Sequence, residues 1–299
     1  MNTNEINLSN SGLILSKIVH GMMRLNTWNY TKKELLKLIE KDIDIGVTTF
    51  DHADIYGNYT CEKIFGEVLK DKKDLRRRIQ IITKCGIVLS KKNHIKYYDT
   101  SKEHIIKSVE TSLKNLNTDY IDLLLIHRPD PLMNPNKVAE AFNELKRDGK
   151  VLHFGVSNFT SQQFKMIESR LNFPLITNQI EVSPYNLSNF KNDEINFLMK
   201  KRVNPMAWSP NAGGLLFKPN DEKSKKLNNV LNEVAKELNL NSIDKVIYAW
   251  ILNHPAGILP IIGSGKVERL KIAIDSLNIK LTKEQWFKIY TTSLGHNVY

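Results

Sequence analysis

Three apolar segments of the sequence each end in an ionisable side chain. Asp51 closes the segment TTFD, Lys84 closes IQIITK and His127 closes IDLLLIH, while Tyr56 follows the first segment by a few residues. Parallel strands of an α/β protein deliver such terminal residues to one shared cleft. The spacings of 33 and 43 residues between the three strand-ending side chains suit successive β/α units of about 30 to 40 residues. We therefore predict one acid–base site built from a carboxylate, an ammonium, an imidazole and a phenol.

The motifs around these residues resemble those of the aldo-keto reductase family. FDHADIYG carries Asp51 and Tyr56, a strand-ending TK carries Lys84, and LLLIHRPD carries His127. The resemblance continues in order through GKVLHFGVSNF, TNQIEVSPY, MAWSP and PIIGSGKVERL. The chain is similar in particular to a bacterial branch of predicted oxidoreductases that share DHADIYG, HRPDPLM and IIGSGK. The resemblance implies a (β/α)8 TIM barrel and an NADPH-dependent reduction of aldehydes or ketones.

The four side chains can assist the reduction of a carbonyl group, which needs a hydride and a proton. No protein side chain donates hydride, so a nicotinamide must supply it. Tyr56 is the predicted proton donor, and the Lys84 ammonium is expected to lower the Tyr56 pKa from the ordinary phenol value of about 10. Asp51 is expected to keep the buried lysine charged. His127 is expected to donate a hydrogen bond to the substrate oxygen. Taken alone, an Asp, Lys or His after a strand is more often a cap or a surface group than a catalytic residue.

The resemblance also implies which positions contact NADP(H). Ser157, Asn158 and Gln179 correspond to residues that hold the carboxamide of the nicotinamide. Trp208 corresponds to an aromatic residue on which the nicotinamide ring stacks, and a tryptophan of the barrel wall is the alternative. The other predicted contacts follow the first strand, lie in the loop after Trp208, or belong to the segment GSGK and a nearby arginine: Gly21, Met22, Ser209, Gly213, Gly214, Leu215, Gly263, Ser264, Gly265, Lys266 and Arg269.

The segment from Gly263 to Arg269 resembles a pocket for the 2′-phosphate at a helix start, which implies NADPH rather than NADH. Small residues let backbone amides approach a phosphate, and Lys266 and Arg269 add charge-assisted hydrogen bonds. Better-known reductases have a lysine before the serine, where this chain has Gly263, and Lys266 is expected to replace it. A capped helix that carries surface cations is the alternative.

The hydrophobic pattern predicts eight strands, mostly followed by helices, and hence one α/β barrel domain over residues 1–299. The strands are expected at 17–21, 48–51, 79–84, 121–127, 153–157, 176–181, 204–208 and 257–261, and the last helix at 267–276. Residues 85–100, which include Lys91 and Lys92, are expected to form an irregular loop at the substrate pocket. Met22, Met23 and Trp28 are expected to line the same pocket, which predicts an apolar or aromatic carbonyl substrate.

Composition limits the classes of function. The chain has 41% hydrophobic and 25% charged residues, which is typical of a globular protein. It lacks an apolar run of about 20 residues and a signal-peptide layout, so we predict a cytoplasmic protein with no membrane partner. The net charge of +11 is spread over short lysine and arginine clusters without the interleaved aromatics that stack bases. This pattern favours a lysine-rich surface over nucleic-acid binding.

Two functions from different classes stay open on the sequence alone. The first is the catalytic reductase, whose partner is a small carbonyl compound. The second is a non-catalytic NADP(H)-binding sensor or partner subunit, similar to potassium-channel β subunits. The histidines lack metal-ligand spacing, so no metal is predicted, and His52 is expected to pack or to form hydrogen bonds. Cys61 and Cys85 are expected to be free thiols. The oligomeric state cannot be read from the sequence.

Overall fold

Eight parallel strands close into a barrel in the computed structural model, which describes residues 4–89 and 95–298. The strands in chain order are β1 (Glu5–Asn7), β2 (Ile14–Ser16), β3 (Val19–Gly21), β4 (Thr49–Asp51), β5 (Gln80–Cys85), β6 (Ile87–Leu89), β7 (Lys96–Tyr98), β8 (Ile121–Ile126), β9 (Val151–Ser157), β10 (Asn178–Glu181), β11 (Met206–Trp208) and β12 (Leu259–Ile262). Around the barrel the order is β3, β4, β5, β8, β9, β10, β11 and β12, and β12 pairs with β3 to close it. The (β/α)8 barrel predicted from the sequence is confirmed.

Helices follow the barrel strands and cover them on the outside. They are α1 (Lys32–Asp44), α2 (Cys61–Asp71), α3 (Lys102–Leu116), α4 (Pro135–Arg147), α5 (Ser161–Glu168), α6 (Ser188–Lys191), α7 (Glu194–Lys201), α8 (Glu222–Glu237), α9 (Ile243–Leu252), α10 (Val267–Asp275) and α11 (Lys283–Leu294). Capping boxes define several helix starts, as at α1, where the Thr31 side chain accepts from the Glu34 amide. None of the helices in the described ranges is long and apolar enough to cross a membrane.

The strands β1 and β2 pair antiparallel and close the amino-terminal end of the barrel. Leu8, in the turn between them, is fully buried in the cluster that fills the barrel interior. Ser9 donates its hydroxyl to the carbonyl of Ile176 at 2.7 Å, and its amide donates to the Asn204 side chain at 2.9 Å. This hairpin was not predicted from the sequence. Among the described residues, the hairpin thus covers the end of the barrel opposite the carboxyl ends of the strands.

Two further regions differ from the sequence predictions. The stretch expected to be an irregular loop contains β6 and β7, which pair antiparallel with Ile87 opposite Tyr98. Lys91 and Lys92 lie outside the described residues. The chain also continues past the last predicted helix into α11, whose Trp286 stacks on Trp250 with ring centroids 4.9 Å apart. This helix completes the outer layer beside α8 and α9.

The helices α2 and α3 approach each other closely at Gly66. A Cβ atom added at this position would lie 1.9 Å from the carbonyl oxygen of Asn115 and 2.7 Å from the Cα atom of Leu116. The Asn117 side chain, which follows α3, donates to the Gly66 carbonyl at 3.0 Å. Because both neighbouring atoms belong to the backbone, they cannot move aside as a flexible side chain would.

We therefore expect Gly66→Ala to lower the free energy of unfolding by about 1–3 kcal/mol or more, the usual effect of overpacking. Equilibrium urea denaturation measures this change. Lys63→Ala, on an exposed position of the same helix, is the matched control and should stay within about 0.5 kcal/mol of the wild type. Equal stability of the two variants would show that α2 and α3 are not packed as described.

Candidate active site

Three neighbouring barrel strands bring four ionisable side chains to the open end of the barrel. Asp51 is the last residue of β4, Lys84 is the penultimate residue of β5, and His127 follows β8 directly. Tyr56 lies in the turn between β4 and α2. The side chains predicted from the sequence to form one site therefore come together in the structure.

The Lys84 ammonium is the centre of this arrangement. Its Nζ atom lies 2.7 Å from Asp51 Oδ2, 2.7 Å from the carbonyl oxygen of His52 and 3.1 Å from the Tyr56 hydroxyl. The lysine side chain is completely buried. An ammonium has three hydrogens to donate, and each of these three oxygens can accept one. Lys84 is thus fully hydrogen-bonded without water.

The ionisation of Lys84 and Tyr56 follows from burial and from their neighbours. Burial lowers the pKa of Lys84, but Asp51 and Tyr56 raise it by more, so the pKa lies above its ordinary value and the lysine is charged. Burial raises the pKa of Tyr56 above its ordinary value, and the nearby Lys84 offsets only part of this increase. The expectation that Lys84 brings the Tyr56 pKa below the ordinary value is therefore wrong. Tyr56 is a protonated phenol at neutral pH.

His127 stands beside Tyr56, with the two rings edge to face and their centroids 5.9 Å apart. Burial, with Lys84 and Arg128 next in effect, holds the pKa of His127 well below its usual range. The imidazole is therefore neutral at pH 7 and carries one ring hydrogen. Its Nδ1 atom is buried and has no hydrogen-bond partner among the described residues. Nε2 is then the ring nitrogen that can form a hydrogen bond with a ligand.

A chain of hydrogen bonds leads from Asp51 across the barrel. The Gln179 side-chain amide donates to Asp51 Oδ1 at 2.8 Å, and the Ser157 hydroxyl donates to the main-chain carbonyl oxygen of Gln179 at 2.9 Å. The Asn158 amide donates to Ser157 Oγ at 2.8 Å, and Trp208 Nε1 donates to Asn158 Oδ1 at 2.9 Å. The four residues predicted to contact the nicotinamide end are therefore connected to the ion pair.

One cavity of about 940 Å³ opens above these residues. Three of the four predicted catalytic residues, Asp51, Tyr56 and His127, line it, and Lys84 lies buried beneath. Most of the predicted cofactor contacts also line it, namely Gly21, Ser157, Asn158, Gln179, Trp208, Ser209, Gly213, Gly214, Leu215, Gly263, Ser264 and Arg269. The sequence analysis did not single out several lining residues, among them Arg24, Arg128, Asn211, Phe217, Lys218 and Tyr248. The loop residues among them lie close to catalytic or Gly-rich segments, which was the available signal, whereas Tyr248 lies on α9 and gave none.

Besides Lys84, four predicted positions do not line this cavity. Met22 is fully buried in the cluster that contains Phe50 and Phe65, so its predicted role as a pocket wall is wrong, and its role as a cofactor contact stays a prediction. Its exposed neighbour Met23, which was also predicted to line the pocket, does line the cavity. Trp28, Gly265 and Lys266 are absent from the lining as well. Lys266 is exposed at the start of α10, and Trp28 packs against the Gly265 backbone, where an added Cβ would lie 2.9 Å from the ring.

The cavity has features that fit a dinucleotide with phosphate groups. Gly213 and Gly214 have positive φ angles of 66° and 100° and open space where a Cβ would lie, so their backbone is accessible to a ligand. Asn211 Oδ1 is buried without a partner in the described part of the chain. No side chain caps the start of α10, which leaves backbone amides for an anion. Arg269 adds a cation and pairs with Asp244 at 2.9 Å.

Two other residues considered in the sequence analysis are buried near the site. His52 is fully buried and packs edge-on against Phe65, with centroids 4.6 Å apart, so its predicted packing role is confirmed. Burial, then Lys84, lowers the pKa of His52 to about 3. Cys61 and Cys85 are both free and buried, as expected. Burial raises the pKa of Cys85 well above its usual value, so this thiol is not activated by the adjacent lysine.

Comparison with known proteins identifies the same fold and an oxidoreductase family. Residues 17–292 match the model of the Aldo/keto reductase family. The chain is 53% identical over 292 residues to the uncharacterized oxidoreductase YcsN of Bacillus subtilis, covering 96% of this chain and 97% of the relative. It is 42% identical over 291 residues to a 6-dehydroglucose reductase of Agrobacterium fabrum, with coverages of 96% and 97%. The structure of the thermostable aldo-keto reductase Tm1743 with the inhibitor epalrestat has a TM-score of 0.82 at 25% identity, covering 96% of this chain and 99% of that one.

The buried ion pair leads to a stability prediction. Lys84→Met should lower the free energy of unfolding by about 3–5 kcal/mol, because the Asp51 carboxylate stays buried without its cation. The double variant Asp51→Asn/Lys84→Met should recover part of this loss. Equilibrium urea denaturation of the three proteins measures both effects.

The exposed pair Lys32–Asp71 provides the control. Its side chains are 41% and 63% exposed, so Lys32→Met should change the free energy of unfolding by no more than about 1 kcal/mol. If Lys84→Met were no more destabilising than Lys32→Met, Lys84 would not be the buried charge that the structure describes.

Proposed function

The chain belongs to the aldo/keto reductase family, and we propose that it reduces aldehydes or ketones to alcohols with NADPH, using Tyr56 as the general acid. The observation that carries the proposal is the contact of the Tyr56 hydroxyl with the buried, charged Lys84 at the base of a cavity of about 940 Å³. Relatives that cover almost the whole chain are named as oxidoreductases or reductases. These names agree with a catalytic function.

In this proposal the reduced nicotinamide supplies the hydride when it is bound. Tyr56 supplies the proton, which moves from its hydroxyl to the carbonyl oxygen as negative charge develops there. The raised pKa of Tyr56 keeps this proton in place at neutral pH. When the proton leaves, the Lys84 ammonium at 3.1 Å stabilises the phenolate that forms. Asp51 holds the ammonium in position throughout.

His127 orients the carbonyl group. Since its Nδ1 atom is buried, Nε2 is the nitrogen that faces the cavity, and the Nε2–H tautomer can donate to the substrate oxygen. A neutral imidazole donates this hydrogen bond without competing with Tyr56 for the role of acid. The phenol and the imidazole therefore approach the same oxygen atom with different functions.

The proposed NADPH preference rests on the far end of the cavity. Ser264 and Arg269 line it beside the uncapped start of α10, so backbone amides and a guanidinium are available to a 2′-phosphate. Gly213 and Gly214 leave room for the pyrophosphate. At the other end, Asn158 and Gln179 offer amide groups to a carboxamide. A dinucleotide that spans these groups would present its nicotinamide to Tyr56 and His127.

Two cations at the cavity wall refine the proposed substrate. Arg128 follows His127 directly and lies over the Trp208 ring at 5.5 Å, and Arg24 also lines the cavity. Guanidinium groups favour oxygen-rich partners, so we propose a hydroxylated or acidic carbonyl compound in place of the apolar or aromatic one expected from the sequence. The name of the 42% identical relative, 6-dehydroglucose reductase, agrees with a polyhydroxylated substrate.

The alternative function, a non-catalytic NADP(H)-binding subunit, is not favoured. The four side chains needed for proton transfer are all present and in contact, and a protein that only binds the cofactor does not need them. Turnover of carbonyl compounds separates the two functions directly.

We expect Tyr56→Phe to lower kcat for carbonyl reduction by about 10²–10⁴-fold, the usual contribution of a positioned general acid. The Kd for NADPH should stay unchanged, because in this proposal the phenol hydroxyl contacts the substrate oxygen and not the cofactor. NADPH oxidation with glyceraldehyde, methylglyoxal and 4-nitrobenzaldehyde measures the first quantity, and NADPH fluorescence titration measures the second. Tyr120→Phe, which removes a hydroxyl outside the cavity, is the matched control.

Retained reduction by Tyr56→Phe would remove Tyr56 from the mechanism. Tight NADPH binding by the wild type without turnover of any carbonyl compound in the panel would instead support the non-catalytic alternative.

The pKa shifts also predict how reduction depends on pH. The Tyr56 proton is needed, and burial raises the Tyr56 pKa, so kcat should be constant through neutral pH and should fall only as pH rises above about 10. Because the pKa of His127 lies well below its usual range, no inflection is expected near pH 6.5. Measurement of kcat at saturating NADPH and substrate, with a folding check by circular dichroism, tests this profile. A decline between pH 6 and 8 would contradict the assigned states.

A further inference from the structure

A second buried ionisable pair lies outside the barrel wall, between β3 and α1. His20 Nδ1 is 2.7 Å from Asp42 Oδ2, and both side chains are completely buried. Neither residue lines the cavity. The mechanism proposed above does not use this pair, and the sequence analysis did not single out either residue. Burial of a charged group costs free energy, and a hydrogen-bonded partner of opposite charge offsets this cost.

The other nitrogen of His20 contacts the predicted phosphate loop, Gly263 to Lys266. His20 Nε2 is 2.8 Å from the carbonyl oxygen of Ser264. A carbonyl oxygen can only accept, so Nε2 must carry a hydrogen. His20 Nδ1 lies 2.7 Å from Asp42 Oδ2. A hydrogen bond at this distance needs a second proton, which lies between Nδ1 and the carboxyl oxygen. The contact with Asp42 therefore keeps His20 Nε2–H oriented toward the Ser264 carbonyl, to which it donates a charge-assisted hydrogen bond.

The next carbonyl of the loop is held in the same way. The Tyr30 hydroxyl donates to the carbonyl oxygen of Gly265. Trp28 lies between the two contacts: its ring stacks on His20 with centroids 5.6 Å apart, and it covers Gly265 so closely that an added Cβ would be 2.9 Å from the ring. Three residues of the β3–α1 region therefore hold two successive peptide groups of the loop.

This anchoring determines which way the loop amides point. In a planar trans peptide the C=O and the following N–H point in opposite directions. With the Ser264 and Gly265 carbonyls turned toward His20 and Tyr30, the amides of Gly265 and Lys266 face away from them. The Lys266 amide contacts Ser264 Oγ at 3.2 Å. Ser264 itself lines the cavity.

We propose that the buried His20–Asp42 pair, together with Tyr30, is a positioning device that presents the loop Gly263 to Lys266 to the 2′-phosphate of NADPH. The proposal rests on the NADPH-dependent function given above. Neither His20 nor Asp42 touches the cofactor. They fix the peptide groups that follow Ser264, which lines the cavity, so that the loop does not have to be ordered when the phosphate binds. Discrimination between NADPH and NADH then depends on residues behind the loop as well as on Ser264 and Arg269.

The test compares cofactor dissociation constants for His20→Leu and His20→Gln, measured by quenching of tryptophan fluorescence. His20→Leu removes the donor and should raise the Kd for NADPH by about tenfold or more, as expected for one lost charge-assisted hydrogen bond. The Kd for NADH, which lacks the 2′-phosphate, should change by less than about twofold if its remaining contacts are intact. His20→Gln places an amide nitrogen where Nε2 lies and should restore part of the NADPH affinity.

Two further variants keep the result interpretable. Tyr30→Phe removes the second anchor while the His20–Asp42 pair stays intact, and it should raise the Kd for NADPH in the same selective way. His254→Leu, which removes a histidine packed against Phe190 and away from the loop, is the matched control and should leave both constants unchanged. Thermal denaturation identifies any variant that does not fold.

Unchanged NADPH affinity in folded His20→Leu and Tyr30→Phe would overturn the proposal. So would an equal loss of NADPH and NADH affinity, because it would indicate a general loss of structure. If the wild-type protein bound neither NADPH nor NADH, the proposed function itself would fail, and that outcome is separate from any effect of His20.

Discussion

The site depends on the burial of one ammonium group inside the barrel. Removing Lys84 from water costs several kcal/mol, and this cost is offset only where Asp51, Tyr56 and the His52 carbonyl converge on its Nζ atom. The register of β4 against β5, with Asp51 opposite Ile82, brings the two charges within reach. A shift of one residue would turn one of them to the outside of the barrel. The contact between Asp51 and Lys84 therefore constrains both the register of β4 against β5 and the position of the ammonium beside Tyr56.

The second oxygen of Asp51 extends this constraint across the barrel. It accepts from Gln179 on β10, and the bonds through Ser157 and Asn158 continue to Trp208 on β11. Buried polar groups of this kind are stable only when each donor and acceptor is satisfied. A substitution of the Gln179 side chain would thus leave Asp51 Oδ1 without its donor, whereas the main-chain carbonyl that Ser157 contacts would remain. The predicted catalytic residues and the predicted cofactor contacts at Ser157, Asn158, Gln179 and Trp208 are parts of one hydrogen-bonded unit.

Residues at strand ends could be predicted from the sequence because the signal is local. An apolar run followed by Asp51, Lys84 or His127 fixes both the strand and the position of its last side chain. The β1–β2 hairpin and the β6–β7 hairpin were missed because their strands do not alternate with helices in the β/α pattern that marked the equally short barrel strands β3, β4 and β11. Met22 and Met23 were both assigned to the pocket, but only Met23 lines the cavity, because the sequence does not show which of two adjacent side chains points into the core. The Tyr56 pKa was misjudged because the sequence shows the neighbouring charge but not the depth of burial.

The alternation of side chains along β3 shows why the His20–Asp42 pair could not be predicted. Gly21 pairs with Asp51 on β4 and lines the cavity, where an added Cβ would lie 2.9 Å from the Ile261 side chain. His20, one residue earlier, must face the opposite side, and there it contacts Asp42 of α1 and the carbonyl of Ser264 after β12. These partners lie 22 and 244 residues away in the sequence, so only closure of the barrel, which pairs β12 with β3, brings them together. One short strand thus contributes to the cavity through its inner face and to the support of the phosphate loop through its outer face.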